Sequence, residues 1–296
     1  MRRIALLLIL LLASSQGCVI PGMQGPVSRS LRTSRQLSLR GAAAMEQGRA
    51  DEARTLLAKA VKACPDDPEA RHHYAEALWL CGEKDQATVE LATAAEALDE
   101  DPSLKIRLAE MYLETGKTDL ALNRAEAAID MNPKMPGGWA VRGEVMHSAG
   151  RFEEALADYH RALGYAPGDR KLMMQVAAIY NRTNRPAQEL ATLQSLADSY
   201  SPGEEPQNVL RRMGTAMVAL GRYDDGIESL STALTRGSPT PDIFYHLSQA
   251  ELSAGNPDRA AMAAREALAL QPNHAPSQRM LEHLEATARA DGRIRR

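Results

Sequence analysis

Residues 136–169 read PGGWAVRGEVMHSAGRFEEALADYHRALGYAPGD, and this layout decides the fold because it returns along the chain at a near-constant spacing of 34. Gly150, at the fifteenth place of the stretch, has counterparts in Gly48, Gly82, Gly116, Gly221 and Gly255. A small residue follows five places on (Ala53, Ala87, Ala121, Ala155, Gly226, Ala260), and another seven later (Ala60, Ala94, Ala128, Ala162, Ala233, Ala267). Proline often comes next, at Pro65, Pro133, Pro167 and Pro272. A period of this length marks a helix-turn-helix unit that cannot bury its apolar face alone and stacks on its own copies.

Each recurring position has a physical reason. Glycine lets the chain leave the first helix in a left-handed conformation, and the small residues let two helices approach closely. The apolar residues Leu104, Leu108, Ala109 and Tyr112, like Trp139, Val141 and Met146, fall at helical spacing and give each first helix a buried stripe. Asp67-Pro68, Asp101-Pro102 and Thr240-Pro241 each pair an N-cap with proline at the first helical position. The units are therefore 34–67, 68–101, 102–135, 136–169, 170–206, 207–240 and 241–274, and 275–296 holds a capping helix (Pro276 to Ala290) and a basic tail. The fifth unit departs from the pattern, with Asn184 in the glycine place, Glu189 in the small-residue place and a longer exit through Ser201 to Pro206. It reads as a loop insertion or as a joint between units one to four and units five to seven.

Over residues 34–274 the pattern resembles that of tetratricopeptide repeats. The resemblance implies an all-α, right-handed α-solenoid of about seven units with a C-terminal capping helix. It also implies a concave groove lined by the second, fifth, sixth, ninth, twelfth and thirteenth places of each unit. On this chain those places include Glu69, His72, His73, Glu76 and Trp79, then Arg107, Glu110, Leu113 and Glu114. Farther on they include Lys171, Gln175, Asn181, Arg182, Asn208, Arg211 and Arg212, then Tyr245, His246 and Gln249. The peptide-binding candidates are His73, Glu76, Trp79, Arg107, Glu110, Glu114, Lys171, Arg182, Arg211, Arg212 and Tyr245. The groove so read is acidic and aromatic in its first half, with Trp79 as an exposed anchor, and basic in its second. Family members that clamp a terminal carboxylate use a set of lysines and asparagines of which only Arg107 has a match here, so that function is not implied.

The first 33 residues belong to another regime. Arg2 and Arg3 precede a ten-residue apolar run, Ile4 to Ala13, which suits a signal-peptide core; a membrane-spanning helix needs about 20. Ser14 to Gly17 then lead into Cys18 and resemble a bacterial lipoprotein processing site, with Ser15 where such sites usually have leucine. The expectation is a signal peptide over 1–17, an acylated Cys18 and a flexible tether over 18–33. That places the protein in the cell envelope, held on a membrane and facing the periplasm or the exterior; ordinary signal cleavage after Ser15 or Gly17 would instead leave it secreted or periplasmic.

Without Arg2 and Arg3 the chain has 33 basic and 38 acidic side chains, and no basic domain points to nucleic acid. Cys64 and Cys81 flank a helix that holds them about 18–20 Å apart, too far for a disulfide. Gly116-Lys117-Thr118 imitates a phosphate loop but lacks the earlier glycine, since Met111 stands there. His72, His73 and Glu76 share one helix with no second contributing segment, which reads as polar surface in preference to a metal site. No nucleophile has an evident base, and no cofactor is called for. The reading is a non-catalytic scaffold or adaptor for a peptide or protein; the alternative is a regulatory or targeting subunit of an envelope enzyme such as a peptidoglycan hydrolase.

Overall fold

A computed structural model describes residues 26–98 and 100–290. Helices pair along the chain as α1 (Pro26–Glu46) with α2 (Ala50–Ala63), α3 (Pro68–Leu80) with α4 (Lys84–Ala97), and α5 (Pro102–Glu114) followed by α6 (Thr118–Met131). Next come α7 (Pro136–Ser148) with α8 (Phe152–Tyr165), α9 (Arg170–Arg182) with α10 (Pro186–Ala197), α11 (Gln207–Ala219) with α12 (Tyr223–Thr235), and α13 (Pro241–Ser253) with α14 (Pro257–Leu270). A last helix, α15 (Ala275–Ala290), follows; among the described residues there are fifteen helices and no strand. The fold is an all-α solenoid. The chain forms two compact units, one up to Thr115 and one from Gly116 onward. Within each, every helix packs on its neighbours in sequence, and α1 on α3, α11 on α13 and α13 on α15 bring first helices together.

The turns are built by glycine. At Gly150, with φ +74°, the amide reaches the His147 carbonyl at 3.0 Å and the next amide, Arg151, reaches back to Met146 at 2.9 Å. These two bonds satisfy carbonyls that the end of α7 would otherwise leave open. Where the fifth repeat has no glycine, Asn184 takes the same left-handed conformation (φ +55°), the one non-glycine to do so among the described residues. Its amide bonds to Asn181 at 3.0 Å and Arg185 bonds to Tyr180 at 2.8 Å, so the turn is the same turn. Asparagine tolerates this conformation because its short polar side chain interacts locally.

The core lies where the small residues meet. Ala53, Ala87, Ala121, Ala155 and Ala260, and in the later place Ala60, Ala94, Ala162, Ala233 and Ala267, are fully buried. A second small position, not used in reading the sequence, does similar work. A Cβ on Gly143 would sit 2.8 Å from the Tyr159 ring, one on Gly41 2.5 Å from Leu57, and one on Gly214 2.7 Å from Leu230. The large residue of the second helix fills the space that the first helix leaves open. Around Tyr159 the cluster continues through Met146, Leu156, Leu172, Val176 and Ile179.

One expectation changes. Helix α1 begins at Pro26, so residues 26–33 are helical and not part of a tether. Proline suits a first turn, Thr33 Oγ1 donates back to the Arg29 carbonyl at 3.0 Å, and buried Ser34 donates to Asp67 Oδ2 at 2.8 Å, docking α1 on the cap of α3. The division between compact units falls after Thr115, and at the fifth repeat α9, α10 and α11 pack in unbroken succession. Cys64 and Cys81 are free thiols. The signal peptide, Cys18 and the tail 291–296 lie outside the described residues.

Asn184 tests the turn. Asn184→Gly should leave thermal stability unchanged or slightly raised, whereas Asn184→Val, forced into a conformation that β-branching disfavours, should cost about 1–2 kcal/mol. Equal melting temperatures for the two variants would remove the left-handed turn from the argument.

Candidate functional site

In the second compact unit, α9, α11 and α13 present the fifth, sixth, ninth and twelfth places of their repeats to a hollow of about 420 Å³. Ala178, Asn181, Arg211, Arg212, Thr215 and His246 line it. The two arginines are adjacent in sequence, but one helical step of about 100° separates their directions, and their roles diverge. Arg212 donates through Nη2 and Nε to one oxygen of Glu189 at 2.8 and 3.2 Å, and Asn181 Nδ2 donates to the other oxygen at 2.9 Å. Glu189 is 1% exposed, so its charge is tolerable only with such partners. Arg212 is thereby a structural cation and not the free groove charge expected.

Arg211 is different. It is half-buried and its guanidinium has no ion pair or hydrogen bond among the described residues. His246 Nδ1 lies 3.1 Å from Gln249 Oε1, and Gln249 donates to the Tyr245 hydroxyl at 3.0 Å. Burial, first, and the nearby charges of Arg211 and His274 hold the His246 imidazole below the usual histidine range, against the Gln249 hydrogen bond and Asp242, which pull it up. The ring is neutral near pH 7 and the hollow carries one uncompensated guanidinium. Such a lining can accept an anion or a carbonyl oxygen. Tyr245 packs its ring edge-on to His274, with centroids 6.0 Å apart, and does not line the hollow. Lys171 is exposed at the start of α9, and Arg182 is exposed with its guanidinium 5.2 Å from the Phe152 ring.

In the first compact unit the predicted residues also come together, but they satisfy one another. Arg107 donates to both oxygens of Glu76 at 2.7 and 2.8 Å and to Glu110 at 3.2 Å. Lys84 pairs with Glu114 at 3.4 Å. Trp79 is half-buried, with Lys84 4.9 Å and Arg107 5.7 Å from its ring, and is not the exposed anchor expected. The acidic surface read from the sequence is thus largely neutralised. His73 stacks on His72 at 5.3 Å, and burial, then the neighbouring His73, pushes the His72 imidazole down. His73 also borders a hollow of about 320 Å³ with Arg35, Ser38 and Glu69.

Reading the sequence missed Glu189 as a member of the site. The signal was present: a carboxylate at a place reserved for small residues must be buried and must bring a cation with it. Glu189→Ala should leave Arg212 without its counter-charge and cost about 3–5 kcal/mol, while adding Arg212→Met should recover most of that loss. Denaturant unfolding of the single and double variants measures it; additive losses would mean that the pair is not coupled.

Comparison with known proteins agrees with this geometry. Two family models described as tetratricopeptide repeat match the chain, one over residues 44–111 and the other over 106–170, 147–204 and 211–275. Tetratricopeptide repeat protein 16 of Mus musculus is 23% identical over 161 residues, 53% of this chain, which spans only 21% of that protein. Among solved structures, YrrB, described as a TPR protein with an unusual peptide-binding site, is 17% identical with a TM-score of 0.58, covering 64% of this chain and 96% of its own. A tetratricopeptide repeat protein from Parabacteroides merdae is 14% identical with a TM-score of 0.59, covering 86% and 99%. PilF of Pseudomonas aeruginosa is 15% identical with a TM-score of 0.60, covering 73% and 97%. At these identities the structures share the fold. With the family models covering most of the described helices and the same helical hairpins in the structure, the chain belongs to the tetratricopeptide repeat family.

Proposed function

We propose that this protein is an adaptor of the bacterial cell envelope that holds a segment of a partner protein against α9, α11 and α13. Tetratricopeptide repeats generally act in protein–protein interaction, which supports the class. The observation that carries the site is Arg211, a half-buried cation without a counter-charge at a hollow of about 420 Å³. A partly desolvated guanidinium gains most from a fixed anionic partner, so the bound segment brings a carboxylate to this position. Asn181 and Thr215 add donor and acceptor groups at the rim, and neutral His246 adds one more. A peptide-binding site is described for YrrB, which shares the fold, and this supports a peptide or protein segment as the ligand class. The scaffold reading needs no chemistry from the chain itself.

The location is part of the same proposal. The apolar run before Cys18 and the small residues that lead to it support export and acylation at that cysteine, which would fix the solenoid at a membrane surface. Mass spectrometry of the mature N-terminus reads this directly. An acyl-modified Cys18 is the expected result; a mature chain that begins elsewhere, or carries an unmodified Cys18, refutes the anchor.

For the binding face, partners are captured from membranes with the natively anchored protein, and the captured protein is then titrated against wild type and Arg211→Glu. The variant should weaken binding about tenfold or more, with the remaining affinity less sensitive to salt. The melting temperature of the variant is measured alongside, and Arg211→Gln serves as the neutral comparison. Unchanged affinity and salt dependence would move the partner off this face.

A further inference from the structure

Helix α1 has 21 residues where α3, α5, α7, α9, α11 and α13 have 13 each, and the excess lies at its N-terminal end. Arg29, Arg32, Arg35 and Arg40 are its charged residues apart from Glu46, so this one helix carries +3 in a chain whose net charge is −3. At about 100° per residue the four arginines fall within an arc of roughly 140° that also holds Gln36 and Leu39, with Thr33 just beyond its edge. All seven residues are exposed, and Leu39 is 73% exposed. The opposite side, with Ser34, Ser38, Gly41 and Ala44, is buried against the first compact unit. The guanidinium groups of Arg29, Arg35 and Arg40 have no ion pair or hydrogen bond among the described residues. This is a basic helical face with one apolar side chain near its middle; Glu46, exposed in the same arc, lies at its C-terminal end, six residues beyond Arg40.

We propose that the outer face of α1 docks on the anionic headgroups of a lipid bilayer. A repeated, flat array of phosphates suits a convex row of guanidinium forks, each able to take two phosphate oxygens. A peptide, by contrast, needs a concave, shaped surface; the hollow of about 320 Å³ beside Arg35 and Leu39 is shared with Asp67 and Glu69, and Arg29, Arg32 and Arg40 lie outside it. Leu39 supplies the apolar contact that an interfacial helix places among the acyl chains. Chain length supports this occupant over an acidic protein. The inference rests on the membrane reading above for its location: seven residues separate Cys18 from Pro26, a reach of at most about 30 Å when extended. An acylated Cys18 would therefore keep α1 near the surface, where a basic patch adds electrostatic attraction to the hold of the acyl chains.

The test uses the mature chain from residue 18 with Cys18→Ser, so that neither leader nor lipid contributes. It is sedimented with vesicles of phosphatidylcholine alone and of phosphatidylcholine with phosphatidylglycerol in equal parts. Binding is expected only to the anionic vesicles, and raising salt from about 50 to about 200 mM should weaken it about tenfold. Arg29→Gln with Arg35→Gln and Arg40→Gln should abolish it without moving the melting temperature, whereas Lys59→Gln with Lys62→Gln, exposed on α2, should retain it. Equal binding to both vesicles, binding to neither, or equal loss in both variant sets overturns the proposal. So does preferential binding of soluble polyglutamate, which would make the occupant an acidic polypeptide. The acyl group is read separately by mass spectrometry, so vesicle binding with an unmodified Cys18 would remove the anchor and leave the α1 surface standing.

Discussion

The close approach of two helices over residues with little or no side chain is the contact on which the rest of this structure depends. Gly143 touches the Tyr159 ring so closely that a methyl group would not fit, and Ala155 and Ala162 are fully buried in the same hairpin. Close spacing brings dispersion and desolvation gains that no single hairpin has enough area to sustain. Each hairpin then needs a neighbour, and stacking supplies it. The stack in turn fixes what the inner face can be. First helices recur at a constant offset, so side chains at the fifth, sixth and ninth places stand beside their counterparts one repeat away.

Charge is managed on that frame by pairing. Asp158, 3% exposed, is held by two bonds from Arg142 at 2.7 and 2.8 Å, and Glu189 and Glu76 are held by Arg212 and Arg107 in similar fashion. Partly buried pairs of this kind contribute modestly to net stability, because desolvation offsets much of the attraction. Their stronger effect is to remove charge from the list of groups that a ligand could meet. After this pairing the hollow of the second compact unit keeps one open cation, Arg211, and in the first unit Arg29, Arg35 and Arg40 stay open on the outside of α1.

How much of this was legible follows from range. The glycine at the fifteenth place and the small residues after it report backbone conformation and helix contact, both set within a few residues, and Gly150 and Ala155 do what their positions predict. Side-chain partners are set across helices, and there the sequence is nearly silent. Trp79 was read as open because its place faces inward, yet Lys84 from the start of α4 and Arg107 from α5 both reach its ring. Nothing in the period encodes the reach of a lysine. Helix α1 was read as starting late because residues 26–33 carry no repeat signal, but a first helix has no preceding repeat to match. Its length is set by its own hydrogen bonds and by Ser34 on Asp67.

The irregular fifth repeat and the candidate site are one feature. Asn184 keeps the turn that glycine makes elsewhere, so the stack continues through α9 and α10 without a break. Glu189, placed where an alanine would close the hairpin, instead buries a charge and must draw in a cation from the next repeat. Arg212 answers from α11, and Asn181 completes the carboxylate from α9. Both arginines line the hollow, about 100° apart around α11; Arg212 is held by Glu189, and Arg211 is left with no ion pair among the described residues. A repeat that followed the pattern would have an alanine at position 189, no demand on Arg212, and no reason for two adjacent arginines to take different roles.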